Sequence, residues 1–236
     1  MNNKEKKSPS SRFFAPISKN QLKKTNVYSN REDFLSENLK QKSKIVEIGT
    51  LAGDFAYHIL KEYNPETLLL IDIFGQEDTG VYGKETDSKK RFNSETHESW
   101  VRERFKEYGN VEIKCSKGFQ ELANYQKSLL KNSYWGSDDH LFDFIYLDSN
   151  HNYSNILKEL FSAEPLIKVG GFIGINDYMI NGIFTEEIFN NSRWQDVSYG
   201  TVQATSFFLS KFSNWQVMSI ALNGAGNMDI FLQKQS

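Results

Sequence analysis

This chain has almost no cysteine, no long apolar run and almost no net charge, and each absence removes a class of protein. Cys115 is the single cysteine in 236 residues, so no intrachain disulfide can form, which fits a reducing compartment. No apolar stretch reaches the roughly 18 residues needed to cross a bilayer, and Phe13-Phe14-Ala15-Pro16-Ile17 is too short for the core of a secretion signal. The expectation is a soluble, cytoplasmic protein without membrane association. A formal net charge of -2 gives no global attraction to nucleic acid or anionic lipid.

What remains is the composition of one globular domain, 39% hydrophobic and 25% charged. The charge is unevenly placed. Residues 1–30 carry seven Lys/Arg against one acid and are rich in Ser, Asn and Lys, so they read as a basic, disordered leader, with residues 31–236 as the folded domain.

That domain is organised around Lys44-Ile45-Val46-Glu47-Ile48-Gly49-Thr50-Leu51-Ala52-Gly53-Asp54-Phe55. Ile45, Val46 and Ile48 predict a short buried strand, Gly49 to Gly53 a tight turn, and Asp54 to Lys61 a helix. This is the first βα unit of a nucleotide-binding sheet, in which ligands lie outside the carboxyl ends of the strands. The glycines depart from the G-x-G-x-x-G of a pyrophosphate cradle, being four apart, and Glu47 stands two residues before the first. An acid there repels phosphate and suits a cation.

Further strands are predicted at Thr67 to Asp72, Val111 to Cys115, Leu141 to Asp148 and Phe172 to Ile175, separated by helices over Thr96–Glu107, Gln120–Lys131 and Tyr153–Leu166. Ser29-Asn30-Arg31-Glu32 has the form of a capping box and predicts a helix from Glu32 to Gln41, a candidate wall of the cleft. Asp72, at a strand end nineteen residues past Gly53, is placed to accept hydrogen bonds from a ribose diol. Phe74 to Glu95 shows no clear periodicity and reads as a lid-like loop from which Tyr82, Phe92 and the nearby His97 can approach a substrate. The chain ends in a helix, Thr201 to Phe212, and a predicted hairpin, Trp215 to Leu222 with Met228 to Gln233.

Glu47-x-Gly49-x-x-x-Gly53, the acid at Asp72 and the terminal hairpin together resemble the class I S-adenosylmethionine-dependent methyltransferases. Lys117-Gly118-Phe119, Asp148-x-x-His151-x-Tyr153, Lys168-Val169-Gly170-Gly171 and Asn176-Asp177-Tyr178 narrow the resemblance to the macrocin- and catechol-type small-molecule O-methyltransferases. It implies a Rossmann-like α/β fold: a mostly parallel seven-stranded sheet, helices on both faces and a C-terminal antiparallel hairpin. It also implies a cofactor, S-adenosyl-L-methionine, held by Glu47, Gly49, Thr50, Gly53, Asp72, Gly118, Phe119 and Asp148.

Asp148, Asn176 and Asp177 offer hard oxygen ligands from adjacent strand ends, which suits Mg²⁺ rather than zinc. His151, beside Asp148 and with an ordinary pKa near working pH, is the candidate general base, with Asp148 as its catalytic neighbour. Many relatives carry a second acid at the position of Asn150, which cannot replace it in that role. The expected acceptor is a small-molecule hydroxyl, on a sugar or secondary metabolite, with oligomeric state left open, a homo-oligomer included. Two readings compete. A nicotinamide-dependent oxidoreductase is disfavoured by Glu47, the missing third glycine and the hairpin; a non-catalytic cofactor-binding module is disfavoured by four carboxylates at strand ends. Nucleic-acid methylation lacks the Asn/Asp-Pro-Pro-aromatic segment after the fourth strand.

Overall fold

The computed structural model describes residues 16–75, 92, 95–131, 138, 141–179, 200–224 and 227–236. Tyr82, most of the Phe74 to Glu95 segment and residues 180–199 lie outside these.

Eight strands form one sheet: β1 (Asn26–Tyr28), β2 (Lys44–Ile48), β3 (Thr67–Asp72), β4 (Val111–Cys115), β5 (Phe142–Leu147), β6 (Ile167–Ile175), β7 (Trp215–Ala221) and β8 (Asp229–Lys234). Their order is β1-β7-β8-β6-β5-β2-β3-β4, and every pairing is parallel except those of β8 with β6 and β7. The order therefore reverses at β2, where β3 and β4 depart to one side and β5 and β6 to the other. In open α/β sheets the ligand crevice lies at such a reversal, beyond the strands' carboxyl ends.

The helices are α1 (Lys19–Leu22), α2 (Arg31–Asn38), α3 (Asp54–Tyr63), α4 (His97–Phe105), α5 (Gly118–Lys131), α6 (Tyr153–Ala163) and α7 (Thr201–Lys211). The two-residue period of the strands sorts their side chains between two cores. Val46, Ile48, Ile145 and Leu147 pack beneath α5, α6 and α7 with Ile156, Leu160, Phe208 and Trp215. Ile45, Leu68, Leu70, Phe144 and Tyr146 pack beneath α2, α3 and α4 with Phe34, Phe55, Ile59 and Phe105. Burying each such aliphatic or aromatic side chain contributes roughly 1.5–3 kcal/mol. Glu47 shares the second face, so its carboxylate sits in an apolar layer.

Three expectations need correction. The sheet has eight strands rather than seven, because Asn26-Val27-Tyr28 adds a parallel edge strand to β7. The leader accordingly does not extend to residue 30. Ser18 caps α1, Gln21 Nε2 donates to the Leu209 carbonyl at 2.9 Å, and Thr25 Oγ1 donates to the Val217 carbonyl at 2.9 Å. Finally, β6 begins at Ile167, so Val169-Gly170-Gly171 lies within the strand, where the register against β5 shifts between Phe142 and Phe144. A smaller shift occurs at α2, which is capped by Asn30 instead of Ser29: Asn30 Oδ1 accepts from the Asp33 amide at 2.7 Å.

Candidate active site

The turn between β2 and α3 is built for close approach. Gly49 has φ of +88°, and a Cβ there would meet the Asp148 carbonyl oxygen at 2.0 Å, so only glycine lets β2 and β5 converge at their ends. Three side chains hold the backbone of Leu51 and Ala52 in this turn. Asp72 Oδ2 accepts from the Leu51 amide at 3.0 Å and its Oδ1 from the Phe74 amide at 2.8 Å. His97 Nε2 lies 2.6 Å from the Leu51 carbonyl, and Arg104 Nη1 donates to the Ala52 carbonyl at 2.6 Å and to Asp54 Oδ1 at 2.7 Å. Leu51 is thereby held at φ +50°, uncommon for a residue with a side chain. Each Asp72 oxygen retains acceptor capacity for a second donor, as a ribose diol requires.

His97 and Phe92 are correspondingly not substrate-facing. Both are fully buried, with rings stacked at a centroid distance of 4.9 Å. Phe119 stands in an open groove of about 630 Å³ between α5 and α6, with Lys158 Nζ 5.2 Å from its ring, while Gly118 is buried against Ile48. Thr50 is buried in the glycine turn, and Gly53, at φ +76°, opens α3.

Acids gather at the ends of β2, β5, β6 and β8. Glu47 is 1% exposed, and its Oε2 meets no hydrogen-bond donor among the described residues. Burial, and after it the charge of Asp148, pushes its carboxyl well above the usual range, with Arg31 and Thr50 offsetting only part. Asp148 and Asp177 are likewise raised, burial being the first cause in each. Asp177 sits at φ +50°, and its buried Oδ1 also meets no donor among the described residues. His151 Nε2 lies 3.5 Å from Asp177 Oδ2 and 3.8 Å from Asp148 Oδ1. Burial lowers its pKa below the ordinary 6.5 despite the opposing pull of Asp177, so the ring is neutral at neutral pH.

A network that the sequence did not reveal lies behind these acids. Arg31 Nη1 donates to Tyr146 Oη at 2.6 Å, and Tyr146 Oη donates to Asp229 Oδ2 at 2.7 Å. Asn223 Nδ2 donates to the other Asp229 oxygen at 2.8 Å, while Asn223 Oδ1 accepts from the Arg31 amide at 2.9 Å. Asp229 is fully buried and pushed up to about 6, burial being the main cause. Tyr146 reads in sequence as one more apolar strand residue. The available signal was its hydroxyl, which must find a partner once the ring is buried.

The proposed metal ligands Asp148, Asn176 and Asp177 do converge, but as a hydrogen-bonded set. Asn176 Nδ2 donates to Asp148 Oδ1 at 2.8 Å and its Oδ1 faces the Tyr146 hydroxyl at 3.4 Å, which engages both ends of the amide. Among the described residues no three His, Cys, Asp or Glu side chains come together in a cation-binding arrangement. Mg²⁺ binding here would require the Asn176 amide to release Asp148 and turn its oxygen toward the two acids.

Comparison with known proteins decides the family. The family model described as "Methyltransferase domain" matches residues 46–178, more than half the chain. The chain belongs to this methyltransferase family. A second model, "Rhamnosyl O-methyltransferase/CmcI", matches residues 136–224. No curated protein sequence matches the methyltransferase.

Among solved structures, the N-methyltransferase NodS from Bradyrhizobium japonicum WM9 in complex with S-adenosyl-L-homocysteine is similar in fold at 13% identity. The match covers 86% of the methyltransferase and 82% of NodS, with a TM-score of 0.52. An rRNA methylase from Streptococcus thermophilus matches at 14% identity and a TM-score of 0.52, covering 87% and 95% of the two chains.

Proposed function

We propose that this methyltransferase uses S-adenosyl-L-methionine to methylate a hydroxyl group of a small molecule. One juxtaposition carries the reading: a buried carboxylate with an unanswered oxygen, Glu47, beside the glycine turn, and a neutral imidazole, His151, between two acids on the neighbouring strand ends. The first is a seat for a cofactor ammonium. The second is a proton acceptor on the side where an acceptor molecule would enter. The match of residues 136–224 to an O-methyltransferase model supports oxygen as the methylated atom.

Bound there, S-adenosyl-L-methionine supplies a methyl group made electrophilic by its attachment to a sulfonium. Glu47 would hold the ammonium and Asp72 the ribose hydroxyls, with Gly49 leaving room for close approach. His151 Nε2 would take the proton of the acceptor hydroxyl, while the cofactor would supply the methyl group to that oxygen. The methyl ether and S-adenosylhomocysteine would then leave, and the imidazolium formed on His151 would return its proton to solvent. Asp177 and Asp148 stabilise that imidazolium and orient the ring. No step requires a divalent cation.

The test is transfer of labelled methyl from S-adenosyl-L-methionine to a panel of sugars, phenols and amines. Transfer to hydroxylated members is expected, with kcat rising with pH through an apparent pKa below 6.5 as His151 loses its proton. His151→Gln should lower kcat on the order of 10²-fold or more, and a chelator should leave the rate unchanged. Activity confined to amines would refute hydroxyl methylation. A rate abolished by chelation would move proton removal from His151 to a cation held by Asp148, Asn176 and Asp177.

A further inference from the structure

Arg31 occupies an unusual position for a residue at the start of an outer helix. Its charge acts on Glu47, Asp148, Asp177 and Asp229 alike. Its only ion pair with an acid of the site among the described residues is a long one. Asp229 is its nearest carboxylate there, 3.9 Å from Nη1, and Asp229 is already satisfied by the neutral donors Tyr146 and Asn223. Nη1 is spent on Tyr146 and Nε on the half-exposed Glu32 at 3.3 Å. Nη2 donates to no protein acceptor among the described residues.

The guanidinium is also held in place. Its carbon lies 4.1 Å from the centroid of Phe55, the second residue of α3, and the side chain is 25% exposed. Phe55 and Tyr146 are themselves 4.6 Å apart, and Tyr146 is the register partner of Glu47 across β5 and β2. Arg31 therefore stands on the same face of the sheet as Glu47, at the helix that leaves the glycine turn. A rigid fork with a free donor, stacked on an aromatic ring and partly exposed, matches a carboxylate.

We infer that Arg31 is a cofactor-binding residue that receives the α-carboxylate of the methionyl group while Glu47 faces the α-ammonium. This rests on the S-adenosyl-L-methionine reading. The two charges of an amino acid share one carbon, so a ligand that presents its ammonium to Glu47 must place its carboxylate beside it. The pair Arg31 and Glu47 reads the methionyl end as a zwitterion and discriminates against cofactor-like molecules that lack the carboxylate.

The experiment compares two ligands by calorimetry on the full chain: S-adenosylhomocysteine and its decarboxylated analogue, 5′-deoxy-5′-(3-aminopropylthio)adenosine, which keeps the ammonium. Wild-type protein should prefer the former by about tenfold or more, the scale of a lost charge-assisted hydrogen bond. In Arg31→Met that preference should vanish because only S-adenosylhomocysteine weakens, and Arg31→Lys, which retains the charge but not the fork, should fall between. The ratio is an internal control: a purely structural Arg31 would weaken both ligands alike and leave it unchanged, which would overturn the inference. Should Arg31→Met not fold, an unaltered ratio in Arg31→Lys would overturn it equally. Failure of both ligands to bind wild type would instead refute the methyltransferase cofactor itself.

Discussion

Glu159 shows what a single buried carboxyl does to this domain. It is 3% exposed on the inner side of α6, accepts one hydrogen bond from Ser149 Oγ at 2.7 Å, and meets no donor at Oε2 among the described residues. Burial pushes its pKa up from 4.5 to about 7. A carboxyl whose folded pKa is raised binds more protons in the folded than in the unfolded state between those two values, so stability falls as pH rises from about 4.5 to 7. Above that window the ionised, half-answered group costs on the order of 3 kcal/mol. Glu159→Gln keeps the acceptor for Ser149 and removes the charge. It should raise the melting temperature by several degrees at pH 8 and leave it nearly unchanged at pH 4. An equal effect at both pH values would show that packing, not ionisation, governs this position. The residues legible in sequence were those with chemistry at a strand end, namely Glu47, Asp72, Asp148, His151, Asn176 and Asp177. Arg31, Tyr146 and Asp229 were not, because each belongs to a different segment and only the sheet order brings them together.

At the scale of elements, the pairing of β1 with β7 makes a specific demand on the N-terminal region. Asn26, Val27 and Tyr28 lie in register with Ser219, Ile220 and Ala221, and the Leu222 amide donates to the Tyr28 carbonyl at 2.9 Å. Tyr28 and Phe34 meet edge to face with centroids 5.6 Å apart, which ties the strand to α2 and so to Arg31. A chain beginning at Arg31 should unfold at lower urea concentration than one beginning at Pro16, by an amount corresponding to roughly 2 kcal/mol or more, since it loses three paired residues and the α1 contacts. Equal midpoints would mean that the segment is a dispensable leader after all. The sequence hid β1 because three residues of mixed polarity in a basic stretch give no alternation to detect. By contrast, β3 and β4 match their predicted spans, Thr67–Asp72 and Val111–Cys115, since apolar or alternating runs there are bounded by turn residues. β6 was shortened in prediction because Gly170-Gly171 reads as a turn, whereas in the fold these glycines sit at a register shift within the strand.

For the whole molecule, the order of strands explains why residues spread from Arg31 to Asp229 meet at one edge. The reversal at β2 leaves a crevice between its end and that of β5, and the antiparallel β8 brings Asp229, its first residue, to the same edge. Among the described residues no helix is long and apolar enough to cross a membrane. The family places a methyltransferase on this scaffold, and the cleft's acids suit a cofactor that carries positive charge rather than phosphate. That contrast can be measured directly by calorimetric titration of the purified chain with S-adenosylhomocysteine and, separately, with NAD. Saturable one-to-one binding of S-adenosylhomocysteine with no heat from NAD is the predicted result; binding of NAD without S-adenosylhomocysteine would contradict the account at its centre.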